Sequence, residues 1–74
     1  MSTDRETVAN LPDTIGKEMA RVRRVQGYYK EIGPVGMFGA AMIEQDLQAA
    51  EAALASGDVV EMLRACVTLQ ETKG

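Results

Sequence analysis

The chain has 74 residues, 46% hydrophobic and 26% charged, which describes one small domain or one protomer and is too apolar for a disordered tail. One cysteine and no histidine exclude an intrachain disulfide, a Cys/His zinc site and any Ser-His or Cys-His dyad, so stability has to come from packed helices or association. Lys plus Arg is 8 against 11 Asp plus Glu, a net charge of −3, which disfavours direct DNA binding.

Residues 1–9 are polar with charges of both signs and read as a flexible arm; residues 10–74 read as one helical domain. No apolar core of a secretory signal follows the start, and the longest apolar run, residues 35–43, is too short to span a bilayer. The expectation is a cytoplasmic protein with no membrane contact. Asn10 is a good N-cap residue, with Pro12 in the first turn and Asp13 near a capping-box position. A first helix is expected to run to about Ile32. Leu11, Ile15, Met19, Val22, Val25, Tyr29 and Ile32 fall on one helical arc, its apolar face. Gly16 and Gly27 lie opposite and weaken it by about 1 kcal/mol each relative to alanine.

Gly33-Pro34 stops that helix and opens a second, expected over residues 34–55. It is apolar almost all round. Phe38, Met42, Ala49 and Ala53 lie on one side, Ile43, Leu47, Ala50 and Leu54 on the other, and Glu44, Gln48 and Glu51 form a narrow polar strip. A helix of this kind is buried on two sides. Three helices are too few to cover both, so a second protomer is expected to cover one. Ser56-Gly57 ends the helix. Asp58 with Glu61 forms a capping box for a third helix, striped by Val59, Met62, Leu63, Cys66 and Val67 as far as about Gln70. Strand alternation is absent from the sequence. The predicted fold is all-α, a small three-helix antiparallel arrangement assembled as a homo-oligomer.

Several residues are candidates for function. Lys17, Arg21, Arg24 and Tyr28 recur at spacings of 4, 3 and 4 beside the apolar face of the first helix. Such a stripe can hold phosphate oxygens under a stacked ring, or it is a solvated face. The segment from Gly33 to Gly39 opens a helix with free backbone N–H groups, where Gly36 and Phe38 would meet an anionic ligand. It lacks the lysine ending of a Walker loop, and no strand precedes it. Its alternative role is close helix packing through Gly36, Gly39, Ala40 and Ala41. Glu18 sits within the apolar arc of the first helix and Asp46 between the two apolar arcs of the second, and both read as structural ion-pair members, Glu18 with Arg21 and Asp46 with an arginine of the first helix of this or another protomer. Cys66 reads as a small core residue. No catalytic residue, cofactor or metal is expected. Charge is asymmetric: residues 17–30 hold five basic side chains and one acid, whereas two basic and six acidic residues follow Gly33. Such asymmetry fits either local anion binding or the meeting of basic and acidic faces.

The stretch from Tyr29 to Ala65, YKEIGPVGMFGAAMIEQDLQAAEAALASGDVVEMLRA, resembles short open reading frames of bacteriophages and prophages of proteobacteria. It spans about half the chain and carries no functional motif of its own. The resemblance implies a small accessory protein acting in the host cytoplasm. Phage proteins of this size and helical type counter host defence, some as oligomeric sponges for cyclic nucleotide signals and others by plugging a CRISPR effector. On this reading the chain is a non-enzymatic homo-oligomer that sequesters a nucleotide immune signal at its protomer interfaces. The alternative is a protein-binding inhibitor or adaptor of a host defence protein, working through its acidic helical surface.

Overall fold

The computed structural model describes residues 10–72, which form α1 (Leu11–Ile32), α2 (Pro34–Ser56) and α3 (Val59–Glu71), with no strand among them. The expected arm, residues 1–9, and the last two residues lie outside the described part. Pro12 stands in the first turn of α1 and Asp13 favours its positive end. The Asn10 carbonyl accepts from Thr14 at 2.9 Å, but the Asn10 side chain does not cap the helix as its residue type suggested. Asp58 does cap α3: its carboxylate accepts from the backbone N–H groups of Val60 at 2.9 Å and Glu61 at 3.3 Å. No described helix is long and apolar enough to cross a membrane.

The three helices run up, down and up, each packed on the other two. Side-chain partners fix the directions. Gln26 of α1 reaches Ala40 and Glu44 of α2, whereas Arg23, earlier in α1, reaches Glu51, later in α2, so these two helices are antiparallel. The core is a single cluster: Leu11, Ile15, Met19, Val22 and Val25 from α1, Ile43, Leu47, Ala50 and Ala53 from α2, and Met62, Ala65, Cys66 and Leu69 from α3. Each fully buried aliphatic side chain, such as Ile15, Leu47 and Leu69, stabilises the fold by about 1.5–3 kcal/mol relative to exposure.

Helix length decides what this core leaves uncovered. With 13 residues against the 23 of α2, α3 is about 20 Å long beside a helix of about 34 Å. It lies along the first half of α1 and the second half of α2, and its C-terminus reaches Arg21. Beyond that point only two helices remain, in a Cα envelope of 44 × 24 × 14 Å. Ile32, expected in the core arc, is therefore 66% exposed, whereas Phe38 and Met42, 74% and 51% exposed, lie on the face of α2 turned away from the core.

At this open end α1 and α2 are joined by Gly33 alone, whose φ of 106° and ψ of −154° belong to glycine. The two helices then close on Gly36, which is buried. A Cβ built there would land on the carbonyl oxygen of Tyr29, and one at Gly39 would come within 2.6 Å of the Tyr29 ring. Of the four small residues expected to pack helices together, Gly36, Gly39 and Ala40 lie against α1 or the core, and Ala41 faces outward. Gly16, by contrast, faces open space, and a Cβ there would meet nothing within 4 Å. Gly36→Ala should cost at least about 2 kcal/mol, because backbone has to move, whereas Gly16→Ala should stabilise by up to about 1 kcal/mol through helix propensity. Thermal unfolding followed by circular dichroism distinguishes the two shifts by sign.

Candidate functional site

The basic stripe of α1 does not survive folding as one surface. Lys17, Arg24 and Tyr28 are exposed, and neither Lys17 nor Arg24 has an ion-pair partner among the described residues. Arg21 is committed to the fold. Its Nη2 donates to the backbone carbonyl of Leu69 at 2.8 Å and its Nη1 to that of Thr72 at 2.9 Å. These oxygens close α3, where the helix carries partial negative charge; the Leu69 carbonyl also accepts from the Thr72 N–H at 3.1 Å. Glu18 accepts from Nε at 3.2 Å and Nη2 at 3.0 Å of the same guanidinium. The side chains of Arg21 and Glu18 are about two-thirds or more covered, so this cluster is a clamp between α1 and the end of α3. It occupies the donors that a phosphate would need.

The other predicted contacts divide in the same way. Gly36 is buried against the Tyr29 backbone, and with Tyr29, Ile32, Val35 and Gly39 it lines an open hollow of about 320 Å³ at the end of the hairpin. Phe38 is exposed on α2. Asp46 is half-buried and makes no ion pair among the described residues, so the expected bond to an α1 arginine does not form within the chain. The reason is placement: Asp46 faces α3, and it lines an open hollow with Ala49, Glu61, Arg64, Ala65 and Thr68. Cys66 is buried and free. Burial, with the nearby Glu18 carboxylate second, pushes its thiol above the usual range, so it stays neutral at pH 7. No cluster of metal-ligating side chains occurs among the described residues.

An ion pair joins the basic and acidic segments across the molecule's surface. Arg23 of α1 pairs with Glu51 of α2 at 2.7 Å. Gln26, buried among apolar neighbours, donates to the Ala40 carbonyl at 3.1 Å and to Glu44 at 2.9 Å. That bond leads the causes that hold the Glu44 carboxyl below its ordinary value, with Lys30 and Arg23 adding smaller pulls. The sequence pattern did not mark Gln26, Arg23 and Glu51 as partners. A signal existed for Gln26, which follows Val22 by four residues and Met19 by seven and so shares their buried face.

Comparison with protein-family models, with curated proteins and with solved structures finds no match. The site therefore rests on its own geometry: an exposed cationic pair with Tyr28 on α1, and two apolar faces, one on α2 and one on α3. If Arg21 is structural and Arg24 is not, Arg21→Ala should lower stability by about 1.5–3 kcal/mol and Arg24→Ala by no more than about 0.5 kcal/mol. Urea denaturation of both variants checks this; equal midpoints would contradict the clamp.

Proposed function

We propose that the chain is a small non-enzymatic interaction protein that acts by binding another protein, as an inhibitor or adaptor. The observation that carries this reading is the outer face of α3. Val60, Leu63 and Val67 stay 56%, 40% and 54% exposed after folding, at the i, i+3 and i+7 positions by which a helix anchors in an apolar groove. The opposite face of the same helix, Met62, Ala65, Cys66 and Leu69, is already buried in the core, so α3 is anchored there while it presents that strip. The acidic surface of the C-terminal half contributes less to this role, because Glu51 and Glu44 are engaged by α1. On the resemblance of residues 29–65 to phage accessory proteins, the partner is a host defence protein.

A second reading, sequestration of a nucleotide signal, draws on Lys17, Arg24 and Tyr28, which share one exposed flank of α1. Arg21 is no longer free for it, being held by Glu18 and the end of α3. The two readings separate by variant. Affinity capture from host extract with the wild-type chain, with Leu63→Glu and with Arg24→Ala is expected to recover a partner that Leu63→Glu loses and Arg24→Ala keeps. Calorimetric binding of a cyclic nucleotide that Arg24→Ala abolishes, without any captured protein, would overturn protein binding in favour of sequestration.

A further inference from the structure

The outward face of α2 is distinct from the α3 strip. Val35, Phe38, Met42, Gln45, Ala49, Ala52 and Ser56 follow one another at spacings of 3 and 4 along the whole helix and are all exposed. That is the seam by which two helices pack side by side. The segment from Gly33 to Ile43 contains no charged residue, so its bulky part is apolar without a charged neighbour on the same helix. The seam with Ile32 exposes on the order of 600 Å², at the upper end of the largest apolar patch of an ordinary monomer and approaching the ~800 Å² that each partner brings to a standard interface.

Side-chain size along the seam selects the occupant. The first half is bulky, Val35, Phe38 and Met42; the second is small, Ala49, Ala52 and Ser56; Gln45 stands at the centre. We propose that a second copy of this chain covers the seam, with the two α2 helices antiparallel about a two-fold axis near Gln45. Phe38 of one copy then faces Ala52 of the other, Met42 faces Ala49 and Val35 faces Ser56, so each large side chain meets a small one. A parallel pair would stack large on large and leave voids between the alanines. An isologous contact has to be self-complementary, and this gradient makes it so. At the axis the two Gln45 amides can donate to and accept from each other. On the flank towards α3, Asp46 and Arg64 line one hollow with opposite charges, and neither is ion-paired within the described chain.

The test is the mass and orientation of the assembly. Light scattering at micromolar concentration is expected to give twice the 8.0 kDa protomer mass, and Phe38→Glu to return it to one protomer with the helical circular dichroism unchanged, since Phe38 is exposed in the protomer. Orientation is read by oxidative cross-linking in a Cys66→Ala background. Gln45→Cys should link to itself. Ser56→Cys should not, yet should link to Val35→Cys when the two are mixed, because a disulfide needs Cα atoms within about 7 Å. An 8.0 kDa wild-type species, or Ser56→Cys linking to itself, overturns the proposal. The α3 strip is untouched by these variants, so loss of dimerisation leaves capture of a partner through Leu63 as a separate result.

Discussion

A helix of 13 residues cannot cover one of 23, and most of what is unusual in this molecule follows from that inequality. Where α3 is present, three helices enclose a dense small core, and the apolar arcs facing it are consumed. Where it is absent, the same arcs continue in α1 and α2 with nothing above them. The hairpin survives there because it closes on backbone: Gly36 and Gly39 let α2 approach Tyr29 more closely than any larger residue permits, and Gln26 ties the α2 carbonyl of Ala40 from below. The open end is thus a closely packed helix pair with a hollow between Tyr29, Ile32 and Val35.

The charged residues serve this construction before they serve a ligand. Arg21 finishes α3 from outside, adding a second donor to the Leu69 carbonyl, which already accepts from the Thr72 N–H, and one to the Thr72 carbonyl. Because α3 is short, its C-terminal end lies over the middle of α1 instead of at the end of the molecule, within reach of an arginine there. Arg23 and Gln26 likewise turn the acidic strip of α2 into a seam with α1. The contribution of Glu44 follows its depressed carboxyl pKa: it is present above the unfolded value and lost as pH falls through the folded one.

The fold class, the three helices and both turns were legible in the sequence, because they depend on period and punctuation: the α1 arc, Gly33-Pro34, Gly57-Asp58. α2 ends one residue later than its pattern suggested, and α3 likewise. The over-apolar character of α2 pointed to a surface left open, and Phe38 and Met42 lie on it. What a wheel could not show was where each arc would find a partner. Ile32 has the right phase and the wrong height, beyond the end of α3. Arg21 has the spacing of a ligand contact, but its use is set by a carbonyl 48 positions away in the chain. Asp46 looked in need of an arginine from α1, yet it faces α3. Sequence period fixes direction around a helix; the relative lengths of helices, which only packing reveals, fix what stands there.

If the uncovered face of α2 meets its own copy antiparallel about a two-fold axis, the start of that helix in one copy lies beside its end in the other. Paramagnetic relaxation in a mixed sample measures this most directly. A nitroxide is attached at Ser56→Cys on one unlabelled copy carrying Cys66→Ala, and amide signals are followed on a second, isotope-labelled copy of otherwise native sequence. Broadening centred on residues 34–38 of the labelled copy is the predicted result. Broadening centred on residues 53–57, or none at any concentration up to millimolar, would contradict it.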